Sequence, residues 1–131
     1  ITDQYIGKED RDVIYDRLLE DLREAATLVP WRSQTSDNTP TRITKGVVKG
    51  LRARIALTRG GYSLRRNPQV MARKDDYLTY YTIARDECKE IIESGEHGLN
   101  PNFENLFKSL HTSKSVEVGR EMMFTVGAAG T

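Results

Sequence analysis

The sequence predicts a mostly α-helical fold: three amphipathic helices packed side by side, joined by long polar loops. Three observations carry this. Apolar residues recur at helical spacing over about 10–29, 44–59 and 76–94. Residues that start or stop helices bound each stretch. The middle stretch, RITKGVVKGLRARIALTRGGY, carries two apolar arcs rather than one.

At 100° per residue, Val47, Val48, Leu51 and Ile55 share one arc of that middle helix, and Gly46, Gly50, Ala53 and Leu57 share a second. The first arc calls for a bulky partner and the second for a close one, so the helix is expected to have a neighbour on either flank. Each internal glycine costs roughly 1 kcal/mol against alanine, which tight packing explains and helix propensity does not. Thr44 is expected to cap the start with its side chain, and Gly60-Gly61 to stop the helix by supplying positive φ. Arg54 projects between the arcs, whereas Lys45, Lys49, Arg52 and Arg59 fall on the remaining, solvated strip. A guanidinium so placed needs a partner. The expected one is Asp21 on the preceding helix, in a structural ion pair; the alternative is a ligand-binding arginine.

The first helix, about 10–29, sets Ile14, Leu18, Leu22, Ala25 and Val29 on one side, with Leu19 and Ala26 beside them. Pro30 ends it. Trp31 to Thr41 follows as a polar loop, and a second connection, Tyr62 to about Asp76, carries Arg65, Arg66, Arg73 and Lys74. The third helix, about 76–94, aligns Tyr77, Tyr81, Ala84, Cys88 and Ile91, joined by Tyr80 and Ile92, and stops at Gly95. A short helix at about 102–110, with Phe103, Leu106 and Phe107, is expected to pack under the third. Residues 121–126, EMMFTV, read as a strand heading into the glycine-rich end 127–131.

Composition narrows the function classes. Twenty Lys and Arg against 19 Asp and Glu give a net charge of +1, which offers no electrostatic case for nucleic acid. A mean hydropathy of −0.59 and the lack of a long apolar run exclude a membrane-spanning helix. The 131 residues, with no evident start, read as a single fragment of a larger domain that exposes apolar surface from its first or third helix. His97 and His111 stand apart from each other and from Cys88, so no metal-ligand spacing exists. Cys88, on the apolar stripe, reads as a small core residue. No phosphate loop, serine elbow or other catalytic motif is present, and neither an enzyme nor a cofactor is expected.

Four phrases in order, VIYDRLLEDLREAATLVP, RITKGVVKGLRARIALTRGGY, YYTIARDECKEIIESGEHGLNPNFENLF and EMMFTV, resemble the helical middle of SusD/RagB-like proteins. The pattern they are similar to is a "VYxxIxxDLxxA…LP" helix, an "R-hydrophobic-TKG…LLARxxLxxGxY" helix, a "YxxAxxxaxxVIxSGxYxLxxxYxxLF" segment and an "EiiFxV" strand, covering nearly everything after Asp12. Two positions depart from it: His97 stands where the family usually has an aromatic, and Val47-Val48 replace small residues. The resemblance implies tetratricopeptide-like antiparallel helix pairs and a surface-exposed outer-membrane lipoprotein without catalytic activity. Such a protein captures glycan or peptide nutrients beside a SusC-like TonB-dependent transporter. The family holds its ligand by aromatic faces with polar neighbours. Trp31, an indole in a polar loop, is the first candidate for such contact; alternatively it lies over the first helix as a lid. Tyr62, with Arg65 and Arg66, is the second; alternatively the tyrosine pins its loop to the middle helix. A helical adaptor that offers only a concave surface to a protein is the competing class.

Overall fold

A computed structural model describes residues 7–36, 39–66, 68–111 and 119–126; residues 1–6, which the sequence leaves unassigned, and the glycine-rich end 127–131 lie outside them. The chain is mostly helical. α1 spans Arg11–Leu28, α2 Lys45–Gly60, α3 Tyr77–Ser94 and α4 Phe103–His111. β1 (Ser63–Leu64) and β2 (Met71–Ala72) form a small antiparallel hairpin between α2 and α3 that the polar composition of this loop conceals.

α1 begins at Asp10, whose carboxylate accepts the Asp12 amide at 2.7 Å, and ends two residues before Pro30. α3 ends at Gly95 in the left-handed region, φ 66°, where a side chain would be strained. The ends of α2 differ from expectation. Thr44 caps through its carbonyl, which accepts the Val48 amide at 3.1 Å, while its buried hydroxyl makes no capping bond. Gly61 is extended (φ −77°), so no positive φ terminates this helix. Gly60 is there for another reason: a Cβ on it would stand 3.0 Å from the Tyr77 carbonyl and 3.1 Å from Tyr80 Cβ. Gly46 is tighter still, since its Cβ would meet His97 Nε2 at 2.4 Å. Both glycines let α3 and the chain after it lie directly on α2.

α2 sits between α1 and α3 and packs on both; a neighbour on either flank is as expected, but the faces in contact are not the two arcs. Arg59 near the end of α2 meets Asp16 near the start of α1, and Lys49 near the start of α2 meets Glu87 in the second half of α3. Both pairings therefore run antiparallel. The shared core is small: Leu19 from α1, Ala53 and Ala56 from α2 and Ala84 from α3, with Ile55, Tyr80 and Ile83 packed against it.

All three helices are turned from the orientation their large apolar residues suggest. The buried stripe of α2 is Gly46, Lys49, Ala53, Ala56 and Gly60, with Val48 and Arg59 beside it, whereas Leu51 (46 % exposed) and Leu57 face outward. α1 buries Asp12, Leu19 and Ala26 and leaves Ile14 and Leu18 exposed; α3 buries Ala84 and Glu87 and leaves Cys88 exposed. The reading of Cys88 as a core residue is thus corrected. Small residues permit close helix contact, and the buried ions sit beside them because their partners lie on the facing helix. Lys49, Arg52 and Arg59 are accordingly not on a solvated strip.

The proposed pair of Arg54 and Asp21 is corrected by the same rotation. Arg54 is exposed, and Asp21 takes an i,i+4 contact from Arg17 at 3.0 Å on the surface of α1. Two further expectations change. Phe103 and Phe107 stack edge-on, 5.1 Å between centroids, and both stay more than half exposed rather than packing under α3. Residues 121–126 form no strand: the Met122 carbonyl accepts from Arg32 Nη1 at 3.0 Å and the Thr125 amide donates to the Pro40 carbonyl at 2.8 Å. These bonds lead to a side chain and a loop, so no ladder is built.

Candidate functional site

α2 is clamped at each end by a buried ionic cluster, and each cluster borders a cleft. At the end near Lys45, Glu87 is buried where α3 crosses α2. It accepts from Lys49 Nζ at 2.8 Å and from the Arg52 guanidinium. Lys49 also reaches Glu90 at 2.7 Å, and Arg52 Nε donates to the Leu19 carbonyl of α1 at 3.0 Å. Burial opposes the charge on Lys49, but the hydrogen bonds to Glu87 and Glu90 outweigh it and raise its pKa. The cluster thus ties three helices together through one carboxylate.

Above it lies an open cleft of about 620 Å³ whose walls include Arg23, Thr27, Trp31, Lys45 and Glu90. Trp31 is half-buried. Its backbone N–H donates to Gln34 Oε1 at 2.9 Å, fixing the turn Arg32–Gln34 that carries it, and Lys45 Nζ stands 5.8 Å from its ring centroid. Ser33, within this turn, holds it against the rest of the fold, because its amide donates to Glu96 Oε2 at 3.0 Å. Although burial works against its charge, the bonds from Ser33 and the nearby Arg120 hold the Glu96 carboxyl below its ordinary pKa.

At the other end, Asp12 is 2 % exposed and gathers cations from α2, from the loop of the hairpin and from the segment before α3. Its Oδ2 accepts from Arg65 Nη1 at 2.6 Å and Lys74 Nζ at 2.8 Å, with Arg59 Nη1 at 3.7 Å. Arg59 in turn meets Asp16 at 3.0 Å and Asp76 at 3.1 Å and lies 4.2 Å from the Tyr80 ring centroid. Burial would raise the Asp12 pKa, yet the bonds from Lys74 and Arg65 and the charge of Arg59 hold it below the usual carboxylate value. Tyr80 moves the other way: burial and its 2.7 Å donation to Asp16 push its hydroxyl up to about 12.

Beside this second cluster a cleft of about 390 Å³ is lined by Asp10, Arg65, Arg66, Val70, Arg73 and Lys74. The structure brings Arg65 and Arg66 together here, with Tyr62 nearby through Arg73, whose guanidinium stands 5.2 Å from the Tyr62 centroid. Trp31 does not belong to this group. It lies beside the start of α2 and Tyr62 follows its end, and a 16-residue helix separates them by roughly 24 Å at 1.5 Å per residue. The sequence candidates therefore form two places. Arg73 and Lys74 were visible in the sequence only as loop charges. Lys49, Glu87 and Glu90 were missed, and only their spacing against the small-residue stripe of α2 could have revealed them.

A third concavity, about 700 Å³, runs between α1 and α2 and is lined by Leu22, Ile43, Val47, Leu51, Met123 and Phe124. It holds the large apolar residues that the rotated helices leave outside the core. Among the described residues no group of three or more His, Cys, Asp or Glu could hold a metal ion, and no helix is long and apolar enough to cross a membrane. No family model, curated protein or solved structure matches the chain. The SusD/RagB-like resemblance thus rests on the four sequence phrases alone.

Proposed function

We propose that this protein captures a glycan or peptide without transforming it, as a SusD/RagB-like surface lipoprotein of the outer membrane that passes its ligand to a SusC-like TonB-dependent transporter. On this reading the antiparallel pairs α1/α2 and α2/α3 are tetratricopeptide-like units whose regular turns have been replaced by long loops that carry ligand contacts. The observation that carries the proposal is the position of Trp31: an aromatic face at the wall of an open cleft, with Lys45 and Glu90 as charged neighbours. Such a surface suits a pyranose, which stacks its apolar face on a ring and offers hydroxyls at its edge. Lys49, Arg52 and Glu87 are engaged with one another and serve as the floor.

A glycan array followed by calorimetry tests this. Saturable binding of at least one glycan or peptide is expected, weakened about tenfold or more by Trp31→Ala, because stacking contacts of this kind contribute about 1 kcal/mol or more beyond area burial. Binding unaffected by that change would remove the cleft from the account. The apolar groove between α1 and α2 favours a second reading, a helical adaptor that seats a protein segment; it expects no saturable glycan or peptide binding at the Trp31 cleft. A lipobox cysteine upstream in the gene would support the lipoprotein assignment.

A further inference from the structure

We infer that the cleft beside the hairpin is a second binding site, selective for an oxyanion, sulfate ester or carboxylate, carried on an acidic glycan. The cleft is strongly cationic. Arg65, Arg66, Arg73 and Lys74 line the cleft; against them stand Asp10 on its wall and Asp12 beneath, the one engaged in capping α1 and the other shared between Arg65 and Lys74. Four cations thus line the cleft against a single lining carboxylate, with Asp12 beneath and Glu9 on the adjoining wall beside Arg65 and Arg66.

The individual side chains sharpen this. Arg65 is anchored by Asp12 and by the Ala72 carbonyl at 3.3 Å, which leaves its Nη2 buried without a hydrogen-bond partner among the described residues. A buried donor with no acceptor is costly unless something supplies one. Arg73 is held by aromatic faces rather than by a carboxylate: its guanidinium is 3.6 Å from the Tyr77 centroid and 5.2 Å from that of Tyr62. Stacking fixes the plane of a guanidinium and leaves its edge N–H groups free, which is the arrangement a bidentate oxyanion needs. Arg66 is exposed and has no carboxylate within ion-pair reach among the described residues. Fixed, partly desolvated arginines around one cavity concentrate positive potential there. Tyr62, largely exposed at the edge, adds a flat face beside the charge.

The anion site stands on these contacts; the choice of a glycan over other anionic polymers rests on the capture reading above. Affinity electrophoresis through gels containing dextran sulfate, polygalacturonate or neutral dextran tests both. Retardation by dextran sulfate or polygalacturonate but not dextran is expected, and which of the two binds identifies sulfate or carboxylate as the group recognised. Arg66→Gln should weaken it about tenfold and Arg66→Gln/Arg73→Gln further, since each removes a charge-assisted contact. Arg66 is exposed, so its single variant remains informative should the double variant unfold. Retardation that survives Arg66→Gln, or none at all, overturns the site. Equal retardation by poly-glutamate or by a DNA oligonucleotide overturns the glycan assignment. Binding of dextran sulfate with no neutral ligand at the Trp31 cleft upholds this site while the capture reading at that cleft fails.

Discussion

Replacing Asp12 by alanine is expected to destabilise the fold by about 3–5 kcal/mol, the usual result of removing one partner from a buried ionic cluster. The change leaves Arg59, Arg65 and Lys74 facing one another around a buried gap, with only Asp16 and Asp76 to balance Arg59. The loss exceeds that of an ordinary surface carboxylate, for which 0–1 kcal/mol is typical. Equilibrium urea unfolding measures it, and a change below about 1 kcal/mol would mean that the cluster does not hold the end of α2. Asp12 joins α1 to the hairpin and to the start of α3, so the variant should also disturb the cleft that Arg65 and Lys74 line.

Glu87→Ala is the second large effect, expected at about 3 kcal/mol or more by the same mechanism. Here Lys49 and Arg52 lose their common acceptor; Lys49 keeps the more exposed Glu90, while Arg52 keeps the Leu19 carbonyl. Restoring an apolar side chain tests the cause. Glu87→Leu combined with Lys49→Met should recover part of the loss, because a buried pair replaced by apolar groups of similar size is often neutral. If the double variant is as unstable as Glu87→Ala alone, the unpaired charge of Lys49 is not the cause of the loss. Both variants leave Trp31 untouched, so ligand affinity at its cleft separates a structural floor from a direct contact.

The existence, order and bounds of the helices were legible in the sequence to within a residue or two, because periodic apolar residues, Pro30 and Gly95 mark them plainly. That α2 has a neighbour on either flank was also expected, although the two arcs that suggested it, with Leu51 and Leu57, are not the faces that make the contacts. Which way each helix faces was not. Reading burial from Leu51, Ile14 and Cys88 assumes that large or apolar side chains define the contact face. In this fold Gly46, Ala53, Ala56 and Gly60 define it by allowing close approach, and Lys49, Arg59, Glu87 and Asp12 follow them inside. A charge at a helix interface looks solvated until its partner is located. That partner lies 38 residues away for Lys49 and Glu87, and 53 for Asp12 and Arg65. Arg54 shows the converse: a charge between apolar arcs suggested a buried pair, and the rotation placed it in solvent.

The candidate sites were legible as residues and not as places. Trp31, Tyr62, Arg65 and Arg66 were singled out one by one, but only the fold separates the indole from the arginines along the length of α2 and adds Arg73 through its stacking on Tyr77. Each cleft takes its shape from the ionic cluster beneath it. Both clefts therefore persist only if those clusters stabilise the fold.

The unfolding free energy measured by urea titration across pH tests that most directly. Asp12 has a lowered pKa in the folded protein, so its contribution is full above the unfolded carboxylate value of about 4 and is lost as pH falls through its lower folded value. Lys49 has a raised pKa, so its contribution is full below the unfolded value of about 10.4 and is lost as pH rises through its higher folded value. A plateau from about pH 5 to 9, falling at both ends, with the acid limb diminished in Asp12→Ala, is the predicted result. An acid limb of the same size with and without Asp12 would contradict the claim that this buried carboxylate clamps α2.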